Sequence, residues 1–304
     1  MNFEDMADQL AAHPDYKVKR RLVPILNFGP ASGGPTKRVL ILDTETTGLD
    51  WRSENIIELA MLAVDVDMTT GLPVGEVEVY EDFEDPGRPI PAEITKLTGI
   101  TSQDVKGQKL DEAKIKNMVE RADLIVAHNA GFDRPFVENR LEVFEHKAWA
   151  CSFQGIDWKT QGLGSAKLEF LCSELGWFYD AHRAQVDCHA LLRVLSAPLK
   201  VAENGQPLTG LLQLFKSAQN ARTIVKALGS PFETKDKLKA RGYRWDAEAR
   251  VWYTAVKSAE ALDAEAAWLK TEVYAGRAAR IGLETQDALV QFSSRSGKSG
   301  DRVL

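Results

Sequence analysis

Three strand-like segments follow one another between residues 38 and 83, separated only by short turns. Residues 38–44 alternate or run apolar into Asp43, and 55–67 are rich in β-branched and apolar side chains. A third segment, 76–83, follows the turn Gly71-Leu-Pro-Val-Gly75. Strands this close in sequence pair as an antiparallel meander, because a parallel return needs a crossover of a dozen or more residues. Helical patterns then take over at 111–121, 134–145, 167–175, 185–195 and 208–219, with a short apolar strand at Leu124–Ala127. Residues 36–220 are therefore predicted to form an α/β domain, a mixed sheet flanked by helices.

Residues 1–35 read as an N-terminal extension, with a short amphipathic helix near 4–12, an extended stretch at 16–26 and a loop at Gly29–Pro35. A small α+β module is expected over 221–290. Its parts are helices at 221–228 and 235–241, strand-like 242–245 and 251–254 about a polar turn, and an alanine-rich helix over 258–275. Ser, Gly and Arg dominate from Ser293, so 291–304 is expected to be a disordered tail.

Composition narrows the classes. Of 304 residues, 44% are apolar and 27% charged, as in ordinary globular proteins. No apolar run approaches the roughly 20 residues of a membrane span, and the acidic start Met-Asn-Phe-Glu-Asp-Met lacks the basic and apolar regions of a secretory signal. Cys151, Cys172 and Cys188 show neither zinc-ligand spacing nor a disulfide framework, so a reducing, cytoplasmic setting is expected. The net charge of −6 argues against a protein that coats nucleic acid. Its distribution is uneven. Residues 221–304 carry 15 Lys and Arg against 11 Asp and Glu, a net of +4, which leaves −10 for the remainder.

The acids fall in short strings at element edges. Asp43 and Glu45 stand two apart in Leu-Asp-Thr-Glu-Thr-Thr-Gly, so both leave one face of the first strand. Two carboxylates so placed repel unless something positive lies between them. Asp133 ends His-Asn-Ala-Gly-Phe-Asp, where the strand Leu124–Ala127 gives way to a helix. That is where ligands of open α/β sheets bind, although an Asp there also serves as an N-cap. His182 and Asp187 share His-Arg-Ala-Gln-Val-Asp. Five residues apart, they would face directions about 140° apart on one helix, so His182 is placed before the helix and Asp187 on its inner surface. His189 is read as structural or surface-facing. Four carboxylates suit hard divalent cations, and two Mg²⁺ or Mn²⁺ ions can activate water and stabilise a leaving oxygen in phosphodiester cleavage. A histidine suits a general base near neutral pH.

Together these three strings resemble the motifs of the DEDDh 3′→5′ exonuclease superfamily, the group of the DNA polymerase III epsilon proofreading subunit, RNase T and oligoribonuclease. The resemblance covers roughly residues 38–196. It implies an RNase H-like fold and release of nucleoside monophosphates dependent on two divalent metals. Asp43 and Glu45 match the first motif, Asp133 the second, and His182 with Asp187 the third. Tyrosine-type relatives carry Tyr where this chain has Arg183, which favours the histidine type. The resemblance further implies that Thr46, Thr47 and Gly48 border the terminal nucleotide, with Leu49 against its base. Leu97-Thr-Gly-Ile-Thr101 recurs in this group, and otherwise reads as a helix-ending turn.

In the C-terminal module, Lys235, Lys237, Lys239, Arg241 and Arg244 precede or interleave with Tyr243, Trp245, Trp252 and Tyr253. Cations beside aromatics suit single-stranded nucleic acid, and Lys237, Lys239, Arg241 and Arg244 are the candidate phosphate contacts. A module this small also needs aromatics for its own core, and Trp245 and Trp252 are assigned there. The expected function is 3′→5′ exonucleolytic cleavage, of DNA in preference to RNA. A DNA polymerase or repair complex is the candidate partner. The rival reading is a nucleic-acid-binding subunit that keeps the fold as a scaffold.

Overall fold

The protein is described by a computed structural model covering residues 2–200 and 208–304. It divides into two compact units, Met1–Ser217 and Ala218–Leu304. The first begins with helix α1 (Phe3–Ala11), capped by Asn2. Its sheet contains β1 (Thr36–Thr46), β2 (Ile56–Asp67), β3 (Pro73–Phe83), β4 (Leu124–Ala127) and β5 (Trp149–Cys151). The order is β3-β2-β1-β4-β5. The first three strands are antiparallel neighbours, whereas β4 runs parallel to β1 and β5 parallel to β4. This mixed order is the RNase H-like arrangement. The meander forms because the turns between its strands leave no room for a crossover helix; parallel pairing begins only after helices α2 (Ala92–Thr98) and α3 (Glu112–Arg121) carry the chain back.

Nearly every residue of β2 is buried, as are Val39–Leu42 of β1, so helices cover both faces of the sheet centre. Helix α4 (Ala130–Arg140) follows β4, and α5 (Leu168–Glu174), α6 (Ala184–Ser196) and α7 (Gly210–Ala218) complete the set. Helix α4 starts four residues earlier than 134, so Pro135 lies inside it and not in its opening turn. Trp149 and Trp158 are buried in the core, and all three cysteines are buried and free. His189 is buried too, so its surface-facing alternative is overturned.

The second unit is an antiparallel sheet of β6 (Arg222–Ala227), β7 (Arg244–Asp246), β8 (Val251–Val256), β9 (Arg280–Gln286) and β10 (Lys298–Val303), in the order β10-β9-β6-β8-β7. Helices α8 (Lys235–Ala240) and α9 (Ala259–Trp268) accompany it; α9 passes into a wider turn at Leu269–Val273, short of the helix expected to 275. Val225, Leu238, Tyr243, Leu269 and Ile281 form its core.

Two expectations fail here. Residues 221–228 form a central strand and not a helix, because Thr223, Ile224 and Val225 are β-branched and pair on both sides. Residues 298–303, inside the segment expected to be disordered, form β10 and pair with residues 280–285 of β9. Backbone pairing, with the Arg280–Asp301 and Arg302–Asp263 ion pairs, orders a sequence too polar to announce itself. Ending the chain at residue 290 should therefore lower the stability of the second unit by about 1–3 kcal/mol. Denaturant unfolding of the truncated and full-length chains checks this; coincident curves would mean that β10 contributes nothing.

Candidate active site

Strand β1 lies between antiparallel β2 and parallel β4, so the ends of β1 and β4 open on the same side of the sheet, where Ile41 is level with Val126. Asp43 and Glu45 continue beyond Ile41, and the His128–Asp133 segment continues beyond Val126. Asn129 makes the turn into α4 with φ of +70°, a left-handed conformation that Asn accepts more readily than most residues. Asn129, not Asp133, is the cap of α4; Asp133 sits in its first turn. The Asp133 carboxylate accepts from the Thr44 amide (3.1 Å) and hydroxyl (2.8 Å), which ties α4 to β1.

Helix α6 brings Asp187 to the same place. Carboxylate oxygens of Asp43, Glu45 and Asp187 lie within 4.8 Å of one another. Asp133 lines the same cleft but is not part of that close group among the described residues. The cleft, about 620 Å³, is lined by all five candidate catalytic residues and by an apolar wall that includes Ile94, Leu97, Phe132 and Phe153. Thr46, Gly48 and Leu49 line it as well, Leu49 being 86% exposed at its edge. Thr47 does not. Its hydroxyl is turned inward, donating to Glu54 and accepting from the Asn55 amide and Arg88.

The electrostatics follow from this crowding. Loss of solvent, followed by repulsion from Asp133, Asp187 and Glu45, holds the Asp43 carboxyl well above the usual range. Burial first, and then Asp187, Glu58 and Asp133, push Glu45 up to about 8. Burial raises Asp133, against its bonds from Thr44. Burial also raises Asp187, although the Tyr179 hydroxyl (2.9 Å) and the amides of His182 (2.9 Å) and Arg183 (3.2 Å) all donate to it and oppose the shift. His182 is exposed at φ of +69°, a conformation costing a non-glycine residue roughly 1–2 kcal/mol. The tether from its amide to Asp187 holds it there.

Glu58, Tyr179 and His128 were not singled out in the sequence. Glu58 is completely buried and stands directly across from Glu45 on β2. Like charges in that relation repel. Glu58 is met by Arg183, whose Nη2 and Nε lie 2.8 and 3.1 Å from it, and by the Ala184 amide at 2.9 Å. The same guanidinium acts to lower Glu45. Arg183 is thus more than the residue that stands where a tyrosine would: it clamps the start of α6, and with it His182, to the sheet. An acid inside the apolar run Ile56–Val66 was the available signal. Tyr179, eight residues before Asp187, had none. His128 lies within a quoted string. Its Nδ1 is 2.8 Å from the Ser152 hydroxyl, its Nε2 is buried without a hydrogen-bond partner among the described residues, and burial, against an opposing influence of the Ala166 backbone, pushes it down to about 4.

The donor set fits hard divalent cations. Carboxylates from β1 and α6 converge, and their raised proton affinity reports a deficit of positive charge that such cations would relieve.

The sequence matches the RNase T exonuclease family over residues 40–195, half of the chain. It is 30% identical over 187 residues to a PolC-type DNA polymerase III of Streptococcus pyogenes serotype M1, covering 58% of this chain and 12% of that protein. It is 39% identical over 104 residues to the PolC-type enzyme of Listeria monocytogenes serovar 1/2a, covering 34% and 7%. The chain thus spans only about a tenth of these polymerases. Among solved structures, exonuclease X with 5′ overhanging duplex DNA aligns at 23% identity over 57% of this chain and 99% of that one, TM-score 0.41. A 3′-exonuclease that recognises a histone mRNA stem-loop aligns at 14% over 59% and 72%, TM-score 0.43. The fold and its acidic cleft define a nuclease of the RNase H-like class. The chain belongs to the exonuclease family, in its DEDDh 3′→5′ superfamily.

Two outcomes follow. Raised carboxyl groups bind more protons in the folded than in the unfolded chain, so the site's contribution to metal-free stability is greatest at low pH and is lost as pH rises toward about 8. Melting in EDTA should show this fall, and Asp43→Asn should flatten it and raise the midpoint near pH 8 by roughly 2–4 °C per kcal/mol of repulsion relieved. An unaltered pH profile in Asp43→Asn would count against the repulsion. Separately, Glu58→Gln should lower kcat about 10-fold or more with little change in KM, since Glu58 does not line the cleft. Unchanged kcat would remove Glu58 from any positioning role.

Proposed function

We propose that the cleft removes nucleotides one at a time from the 3′ end of DNA, with two divalent cations, Mg²⁺ or Mn²⁺, held by Asp43, Glu45, Asp133 and Asp187. The observation that carries this is the convergence of Asp43, Glu45 and Asp187 oxygens within 4.8 Å in the one cleft that also contains Asp133 and His182. Such cations lower the pKa of water and neutralise charge on a phosphate and its leaving oxygen.

The chain's own residues supply the rest. Strand β1 orients Asp43 and Glu45 on one face, and Thr44 holds Asp133 so that the cleft has acid on two sides. His182 takes the proton from the attacking water as general base; its exposed position at the lip and its tether to Asp187 support that role. Tyr179 steadies Asp187 from the other side. The unpartnered Nε2 of neutral His128 is available to a polar group of the terminal nucleotide, and Lys167 at the wall to a phosphate. Leu49, with Ile94 and Leu97, offers an apolar surface to the terminal base.

DNA is favoured over RNA because the relatives at 30–39% identity are DNA polymerases. The same relationship supports work beside a polymerase or in repair, with proofreading as the task, while the sequence composition supports a cytoplasmic setting. The test is release of mononucleotides from end-labelled DNA and RNA strands with Mg²⁺, Mn²⁺ or EDTA. DNA should be degraded from its 3′ end and EDTA should stop it. Asp43→Ala and Asp187→Ala should abolish release in folded protein, and His182→Ala should slow it about 10²–10⁴-fold. Full activity in EDTA or in Asp43→Ala would overturn the mechanism, and faster cleavage of RNA would overturn the substrate.

A further inference from the structure

The second unit carries a cleft that its fold does not explain. It encloses about 460 Å³ between the turn that enters α8 and the β7–β8 hairpin, and its walls include Phe232, Lys235, Trp245, Arg250 and Trp252. Phe232 is 74% and Trp245 50% exposed. Trp245 is therefore not core, contrary to expectation. Tyr243 takes that place, because it precedes β7 in the loop and escapes the strand's alternation. Trp252 packs only the edge of the core. Trp245 and Trp252 are direct cross-strand partners, with ring centroids 5.5 Å apart and planes at 58°. Large aromatics left open to water in a unit that already has a core point to a ligand.

The charge around these rings identifies the ligand class. Lys235 lies 4.0 Å above the Phe232 ring, and Arg250 stands in the wall, held at φ of +51°. Among the described residues, no carboxylate lines the cleft. By contrast, two of the cations first expected to meet phosphate are already engaged. Lys237 pairs with Glu272 at 2.9 Å, and Arg241 with Glu265 at 3.1 Å while stacking on Trp268. Lys239 and Arg244 are exposed but do not line the cleft. A planar apolar surface bordered by cations suits a base and its phosphate, and base stacking on aromatics tolerates any sequence.

We propose that this cleft binds one unpaired nucleotide of a single-stranded nucleic acid, its base stacked on Trp245 and Phe232 and its flanking phosphates met by Lys235 and Arg250. A proline-rich peptide would also stack on tryptophan, but it would give the two cations no counter-charge. The site uses no residue of the exonuclease cleft, so it stands whether or not the hydrolytic mechanism above holds.

The test is fluorescence anisotropy of a labelled thymidine 12-mer titrated with the full-length protein in EDTA, which suppresses metal-dependent cleavage. Trp245→Ala should weaken binding about 5- to 150-fold, the range expected for one stacked base, and Trp245→Phe should restore most of it. Lys235→Ala with Arg250→Ala should reduce the slope of log affinity against log salt by about 1.4, from two lost phosphate contacts. Thermal melting confirms folding of each variant. Unchanged affinity in folded Trp245→Ala overturns the proposal, as does an unchanged salt slope in the double variant. Tighter, salt-independent binding of a labelled proline decamer than of the 12-mer would assign the cleft to peptide instead.

Discussion

The repulsion among Asp43, Glu45, Asp133 and Asp187 is the force the first unit is built to contain. Taken from water and placed together, these groups hold their protons to unusually high pH. An isolated strand could not keep two of them on one face against the others. A sheet buried on both sides can, because β1 is locked by long pairing with β2 and by β4 on its other edge. That crowding of acid is the structural basis of the divalent-cation site proposed for the cleft.

Around that crowding stand contacts that are neither ligands nor packing alone. Glu58 faces Glu45 across the strands and would add to the repulsion, yet it carries Arg183 into place and accepts from the first amide of α6. Asp187, in the first turn of the same helix, accepts from the amides of His182 and Arg183. One arginine therefore connects the sheet, the helix start and the exposed histidine, and the left-handed backbone of His182 is kept by those bonds. The second unit follows a different logic. Its core is complete without Trp245 or Phe232, and its paired cations brace it internally, leaving a smaller aromatic and cationic cleft turned outward.

Much of the first unit was legible because its signals are local. Apolar runs marked β1, which ends in acids, and β4, and short turns marked the meander. The second unit was less so. Arg222–Ala227 looked helical because six residues carry little periodicity, and β10 was hidden in polar sequence whose order comes from pairing with β9 and from ion pairs. Thr47 shows the same limit at the site: its string pointed to the cleft, but Glu54 and Arg88 claim its hydroxyl.

The sequence by itself determined which of the candidate side chains can share a face. Spacing of two along a strand commits Asp43 and Glu45 to one face, and spacing of five separates His182 from the helical face of Asp187. Only the tertiary structure decided which distant groups meet them. Asp187 reaches β1, Glu58 opposes Glu45, Arg183 closes between them, and Trp245 turns outward while Tyr243 turns in. The first and third of these join segments more than a hundred residues apart, and the others depend on strand register and packing within each unit, which no local pattern encodes.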